Sequence, residues 1–145
     1  MPLLDYSTKV PVTRTIAQIQ AILAEHGAKA ILTEFGDRGE VLSLSFRIRT
    51  PSGEAGIRLP IDTQSTFRVM QKQAANREMP RSFVTEAQAY RVAWRNVKDW
   101  VEAQMALLQT EMVKMEQIFL PYIIGNDGRT LFQVAVESNL LTSGE

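Results

Sequence analysis

The chain has 145 residues, of which 45% are hydrophobic and 22% are charged, so it is long enough for one domain of ordinary size with a real core. Lys and Arg together number 16, as do Asp and Glu. This zero balance argues against a protein that coats nucleic acid non-specifically, because such binding depends on a basic field. The chain contains no cysteine, which excludes disulfide frameworks, thiolate zinc sites and cysteine nucleophiles.

The first residues predict a short arm rather than a targeting segment. Residues 1–12 lack the basic stretch followed by an apolar stretch that a signal peptide has. No apolar run in the chain reaches the roughly 18 residues that a membrane span needs. We therefore expect a cytoplasmic protein with no membrane partner and a single domain over residues 1–145. Residues 8–10 could form a short strand within the arm.

A helix is predicted over residues 14–26, with Thr13 as its N-cap and Gly27 at its end. The prediction depends on apolar residues that recur at helical spacing, namely Ile16, Ile19, Ile22 and Leu23. His26 would lie in the last turn, where a cation interacts favourably with the helix dipole. We expect that structural role for the only histidine rather than a catalytic one.

Three strands are predicted next, and they would form an antiparallel meander with one face toward water. They comprise residues 28–35, 41–49 and 55–59, separated by turn signals at residues 36–39 and 51–54. Apolar and polar residues alternate most clearly in the second strand. There the apolar face would consist of Leu42, Leu44, Phe46 and Ile48.

The same pattern predicts the register of the second and third strands, because a slip of one residue would bury charge. Phe46 would then pair with Leu59, and Arg47 would lie directly opposite Arg58, with Arg49 on the same face. Like charges directly opposite each other destabilise a sheet. Three alternatives stay open: water screens these arginines, an acidic side chain pairs with them, or an anionic ligand bridges them.

The remainder is predicted to be mostly helical, with a helix at residues 63–75, an exposed loop at 76–82 and a long helix at about 84–110. The long helix would measure roughly 40 Å at about 1.5 Å per residue. That length exceeds the diameter of a small domain, so part of the helix would need a partner. We therefore expect a homo-oligomer formed through the apolar stripe, which comprises Tyr90, Trp94, Val97, Val101, Met105, Leu108 and Met112.

Two short C-terminal helices complete the predicted α+β fold. Thr110 would cap the first, which would end before Pro121. Thr130 and Gln133 fit a capping box for a last helix near residues 131–139, although the apolar residues of that segment also allow a strand.

A row of basic residues on the long helix could bind an anion. Arg91, Arg95 and Lys98 lie along one stripe beside Trp94. Two arginines one helical turn apart could hold a phosphate between them with paired hydrogen bonds, since guanidinium geometry suits that oxyanion. Trp94 could stack on a base or pack in the core.

The same row could equally be an ordinary helix surface. Arg95 is spaced to pair with Asp99, and Lys98 with Glu102, because both pairs are four residues apart. No metal motif, glycine-rich phosphate loop or nucleophile with an adjacent base is present in the sequence. We therefore expect a binding protein without catalysis, cofactor or metal.

Several segments resemble a family of small proteins encoded widely in bacterial phages and prophages. The matching segments are YSTKVPV (6–12), RLP (58–60), QAYRVAWRNVKDW (88–100), Ala103-Gln104 and FLPY (119–122). The resemblance implies a phage accessory protein in the bacterial cytoplasm. It implies either sequestration of a nucleotide immune signal, so that host defence is not triggered, or DNA or protein binding that assists phage DNA replication or recombination.

Our leading hypothesis is non-enzymatic binding of a small anionic nucleotide, with nucleic acid as a less favoured partner. The ligand would lie where the strand arginines meet the long helix. The candidate ligand-binding residues are Arg47, Arg49, Arg58, Arg91, Trp94, Arg95 and Lys98.

Overall fold

The computed structural model describes residues 1–139 and has the mixed α+β fold that the sequence predicts. The strands form one antiparallel sheet in the order β1-β2-β3. Short 3-10 helices occupy Arg81–Phe83 and Leu120–Tyr122. The other elements are α1 (Val12–Glu25), β1 (Ala30–Phe35), β2 (Val41–Thr50), β3 (Gly53–Arg58), α2 (Thr63–Ala75), α3 (Glu86–Gln109), α4 (Met115–Phe119) and α5 (Leu131–Glu137).

The chain divides into two compact units. The first, here called the arm–helix unit, contains residues 1–22 and 61–103. The second, the sheet unit, contains residues 23–60 and, of the described residues, 104–139. The expectation of a single domain over residues 1–145 stays a prediction. Within residues 1–139 no helix combines the length and the apolar composition needed to cross a membrane.

The core of the arm–helix unit includes a cluster formed by α2, α3 and the connection between them. Its buried members are Met70, Ala74, Met79, Ala89 and Val92. Met79 lies in the segment predicted as an exposed loop, so that prediction is wrong at this residue, which is 5% exposed. Burial of its side chain ties the α2–α3 connection to the core.

The arm of residues 1–11 is held by side chains instead of forming a strand. The Leu3 backbone N donates to Gln73 Oε1 at 2.9 Å, and the Tyr6 and Phe83 rings meet edge to face at 5.3 Å. The prediction of a strand at residues 8–10 is wrong. Within that segment the Thr8 carbonyl accepts a hydrogen bond from the Gln88 side chain of α3.

The inward face of β2 departs from the prediction at one position. Val41, Leu44, Phe46 and Ile48 are buried, whereas Leu42 is 56% exposed. A bulge at Glu34/Phe35 in the β1–β2 pairing shifts the register there. Because a bulge adds one residue to one strand, it reverses the side-chain alternation, and Val41 takes the buried place predicted for Leu42.

The predicted register of β2 and β3 is wrong by two residues. Phe46 pairs with Ile57 and Arg47 with Gly56. The cause is the connection, which is two residues long instead of four, because Thr50 and Gly53 are already paired. Gly53 has φ of 127°, a value that side chains with a Cβ rarely adopt.

Where β2 and β3 pair, their faces are nevertheless as predicted, since a slip of two residues preserves the alternation. Arg58 pairs with Ser45 and therefore lies on the polar face with Arg47. Phe46 and Leu59 are each 2% exposed, as expected for core residues. The like charges are displaced along the sheet instead of being directly opposite.

The C-terminal helices differ from the prediction in one boundary. Thr110 Oγ1 donates to the Leu107 carbonyl at 2.6 Å, so Thr110 follows the end of α3, and α4 begins after Lys114. The last segment is a helix, and Thr130 and Gln133 form the predicted capping box.

The apolar stripe of α3 is largely buried within the chain itself. At 24 residues α3 is about 36 Å long. Of the residues predicted for the stripe, Met112 is 67% exposed and lies beyond the helix end. Association through α3 stays a prediction, but most of the stripe that suggested it is already covered. The buried apolar residues of α3 are Ala89, Val92, Ala93, Trp94, Val97, Val101 and Met105.

Candidate anion site

Gln88, near the start of α3, connects the arm to a basic residue of the same helix. Its side chain is buried, and Nε2 donates to the carbonyls of Tyr6 at 2.8 Å and Thr8 at 2.9 Å. Its Oε1 accepts from Arg91 Nε at 2.9 Å and from Arg91 Nη2 at 2.7 Å. The amide therefore uses both donors and fixes the Arg91 guanidinium by two bonds to one atom.

This role of Gln88 is not among those that the sequence predicts. The available signal was a polar residue four positions before Val92, which is fully buried, and thus on the buried side of the helix. The carbonyl partners in the arm are 80 and 82 residues away in sequence, so no local pattern reveals them.

Arg95, one turn after Arg91, is held by α1. Its Nη1 donates to Gln18 Oε1 at 2.6 Å and to Thr15 Oγ1 at 3.3 Å. Thr15 is fully buried, so its hydroxyl fixes the guanidinium at the edge of the core. The predicted ion pair with Asp99 is wrong, because no salt bridge joins the two within 4.0 Å.

Arg91 and Arg95 thus share a feature that matters for anion binding. Both are half-buried, and their hydrogen-bond partners are neutral oxygens. Within residues 1–139 neither guanidinium has a carboxylate within salt-bridge distance. Because neutral partners orient a charge without cancelling it, both arginines retain their attraction for an anion.

Lys98, the third basic residue of the row, is compensated. Its Nζ lies 3.0 Å from Glu102 Oε1, which confirms that predicted pair, and 4.0 Å from Asp99 Oδ1. The Lys98 side chain is 14% exposed. We therefore expect Lys98 to contribute less to anion binding than the two arginines.

Trp94 lies in the core. The residue is 0% exposed, so no face of the indole is available for a ligand to stack on. Of the two roles that the sequence allows, Trp94 therefore has the packing role. Its Nε1 is buried and has no hydrogen-bond partner among the described residues. Burial of an unpaired donor is unfavourable, so the stabilisation that Trp94 provides comes from its large apolar surface.

Asp5, in the arm, brings an acidic group to the same row. Burial raises its pKa to about 6, and the hydrogen bond to Asp99 and the charge of Asp99 act in the same direction. The charges of Arg95 and Lys98 lower it by less. When the Asn96 amide is oriented to satisfy its hydrogen bonds, its nitrogen donates to Asp5 Oδ2 at 3.3 Å.

Replacing Asp5 with Asn should stabilise the protein above about pH 6. The folded pKa is raised, so the stabilising contribution of this carboxyl is complete below its unfolded pKa and is lost as the pH rises through the folded value. The shift corresponds to at most about 3 kcal/mol, and solvent screening at this partly exposed group reduces the expected gain to about 1 kcal/mol. Asn suits the position because Asp5 has φ of 64°, which Asn tolerates.

Urea denaturation at about pH 8 and about pH 4 measures this effect, with Asp37→Asn in the exposed β1–β2 turn as the matched control. The gain should appear only at the higher pH. An equal effect of Asp5→Asn at both values would show that the Asp5 carboxyl is not perturbed.

The strand arginines form a separate set in the sheet unit. Arg47 Nε lies 3.2 Å from Glu54 Oε1, and Arg49 is the cross-strand neighbour of the same glutamate. Of the three alternatives for this face, the acidic partner is therefore realised for Arg47. Arg58 Nη2 donates to the Gly128 carbonyl at 3.3 Å, so its hydrogen-bond partner is neutral.

A shallow hollow of about 320 Å³ lies on this part of the sheet. Arg47 is the one charged residue among those that line it, and most of its surface is apolar. A ligand there would meet one arginine that already has a carboxylate partner. The lining residues are Ala30, Ile31, Leu32, Ser45, Phe46, Arg47 and Gly56.

The predicted site residues thus form two sets. Arg91, Arg95 and Lys98 follow one another along α3 in the arm–helix unit, above the buried Trp94, and the strand arginines belong to the sheet unit. The predicted common pocket stays a prediction. The α3 set, here called the α3 cation row, contains two half-buried guanidinium groups one helical turn apart whose hydrogen-bond partners are neutral.

Nothing in the described chain indicates a metal centre. Within residues 1–139 no three or more His, Cys, Asp or Glu side chains are placed to hold a metal ion together. Comparison of the chain with protein-family models, with curated proteins and with solved structures found no match.

Proposed function

We propose that this protein binds a small phosphorylated nucleotide at the α3 cation row without transforming it. The observation that carries the proposal is the pair of half-buried guanidinium groups, Arg91 and Arg95, whose hydrogen-bond partners are neutral. The buried Gln88 orients Arg91 and the buried Thr15 orients Arg95. Such fixed positions are not expected of arginines that only make the surface soluble. Fixed guanidinium groups bind phosphate well because little conformational entropy remains to be lost.

The size of the row favours a small ligand over a long nucleic acid. Two uncompensated arginines one turn apart match one or two phosphate groups. Tracking an extended strand would need many cations, and the net charge of the chain is zero.

We place this activity in a phage or prophage accessory protein that acts in the cytoplasm of the bacterial host. The resemblance of the arm and of residues 88–100 to a family of phage proteins supports this setting. Those two segments are the ones that Gln88 joins. In that setting, sequestration of a nucleotide immune signal would keep a host defence system from being triggered. Self-association through α3 belongs to the same proposal.

Calorimetry against a panel of linear and cyclic nucleotides tests the proposal. Arg91→Ala and Arg95→Ala each remove charge-assisted hydrogen bonds worth about 1.5–3 kcal/mol, so each should weaken binding roughly ten- to hundredfold. Arg91→Lys retains the charge but cannot donate two parallel hydrogen bonds to one phosphate, so it should have an intermediate affinity. Melting temperatures measured in parallel separate loss of the site from loss of the fold.

Arg68→Ala is the matched control, because Arg68 is an exposed helical arginine of the same unit that donates to Ser65 Oγ at 2.8 Å. It should leave the affinity unchanged. Arg58→Ala tests whether the strand arginines contribute to nucleotide binding. Native mass spectrometry of the wild-type protein gives the subunit number and the mass of any retained ligand. If no nucleotide binds and short single-stranded DNA binds tightly with a steep salt dependence, the protein is a DNA-binding accessory factor instead.

A further inference from the structure

The carboxyl of Asp5 lies within the electrostatic reach of the proposed anion site. Three charged residues of α3 act on it: Arg95 and Lys98 attract its ionised form, and Asp99 repels it and shares a hydrogen bond with it. Lys98 in turn faces Glu102. Arg95 therefore interacts with an acid supplied by the arm, although the two form no direct ion pair within 4.0 Å.

Asp5 is held in this position by the fold of the arm. Its backbone is in the left-handed region, with φ of 64°, and the residues that follow it are bound to Gln88 through the carbonyls of Tyr6 and Thr8. Asn96, on α3, donates to Asp5 Oδ2 and to the Leu4 carbonyl. The carboxyl thus has a fixed place beside Asp99, and it is not a mobile surface group.

An anion at Arg95 and an ionised Asp5 have the same sign of charge and act on the same guanidinium. A proton on the Asp5–Asp99 pair removes one negative charge near the ligand. At a separation of several ångströms and an effective dielectric constant between those of the protein surface and of water, such a charge changes an anion's affinity about three- to tenfold.

We propose that anion binding at the α3 cation row is coupled to proton uptake by the Asp5–Asp99 carboxyl pair, so that the site binds its ligand more tightly as the pH falls. This inference rests on the proposed function, and it adds a regulatory property to the same site. The ionised Asp5 carboxylate of the arm then repels the anionic ligand, and the protonated carboxyl does not.

Calorimetric titration with cyclic di-AMP, and with sulfate as the simplest anion, tests the coupling on the full chain. The charges of both probes are constant between about pH 5 and about pH 8, which bracket the Asp5 pKa of about 6. Wild-type protein should bind about three- to tenfold more tightly at the lower pH. Repeating the titration in buffers of different protonation enthalpy should show uptake of up to one proton per site.

Three variants separate this mechanism from general charge effects. Asp5→Asn should bind at both pH values with the affinity that wild type has at the lower one. Glu102→Gln removes a neighbouring charge outside the pair, so it should raise affinity without removing the pH dependence. His26→Asn removes the only histidine, a residue type that commonly titrates in this range, and should also retain the pH dependence.

The outcomes distinguish the two proposals. A wild-type affinity that is the same at both pH values, or an Asp5→Asn variant that keeps the pH dependence, overturns the proton coupling while nucleotide binding stands. Absence of binding by both probes at both pH values overturns the coupling together with the anion site.

Discussion

Replacing Trp94 with alanine should lower the free energy of unfolding by about 3–5 kcal/mol, the usual cost of truncating a buried aromatic side chain. Trp94 is 0% exposed and is among the largest fully buried side chains of the described chain. The cost combines the lost burial of apolar surface with the cavity that the indole would leave. Because Arg91 and Arg95 lie on the same helix on either side of Trp94, nucleotide affinity should fall as the fold loosens.

Trp94→Phe is the informative companion variant. It retains most of the buried ring and removes the indole N–H, which has no hydrogen-bond partner among the described residues. No hydrogen bond is lost, so we expect a cost of about 1–2 kcal/mol, from reduced volume alone. Chemical denaturation of the two variants measures both values. A Trp94→Ala cost below about 1 kcal/mol would show that the indole is not packed as described.

The existence of each α-helix could be predicted from local patterns, although the predicted cap at Thr13 is wrong because α1 begins at Val12. The predicted range of α2 coincides with the observed helix of residues 63–75, and the capping box of Thr130 and Gln133 marks the start of α5. Caps and helical periodicity involve residues within a few positions of one another, so the sequence contains the whole signal.

The register of β2 and β3 shows where such patterns fail. The alternation of apolar residues predicts which face each residue occupies, and Arg58 lies on the predicted face. Alternation is unchanged by a slip of two residues, so it does not distinguish one register from the next of the same parity. The short turn between Thr50 and Gly53 decides the register here, and the turn predicted from the sequence is two residues longer.

The candidate site was predictable only in part, for the same reason. The row of Arg91, Arg95 and Lys98 follows from helical spacing, and so does the pairing of Lys98 with Glu102. The partners that orient Arg95 are in α1, 77 and 80 residues away. Whether an arginine is compensated or available depends on those distant partners, because local spacing had indicated an ion pair with Asp99 that does not form.

The arm is the clearest case of a segment that is organised by distant side chains, and Gln88 is the residue on which it depends. Gln88→Ala removes the donor for the Tyr6 and Thr8 carbonyls and the acceptor for Arg91. Partly buried groups left without partners cost about 1–3 kcal/mol each before water replaces the lost bonds. We expect the free energy of unfolding to fall by about 2–3 kcal/mol, with faster amide exchange in the arm.

Gln88→Glu separates the two roles of this side chain. The carboxylate still accepts from Arg91, but it has no donor for the arm carbonyls and it cancels the charge of the guanidinium. Both variants should therefore release the arm, whereas Gln88→Glu should weaken nucleotide binding more than Gln88→Ala does. Gln73→Ala, which removes only the bond from the Leu3 backbone N, is the control and should change amide exchange at the start of the arm alone. Unchanged amide exchange at residues 5–8 in Gln88→Ala would show that Gln88 does not hold the arm, and equal nucleotide affinity in the two variants would remove the role assigned to the Arg91 charge.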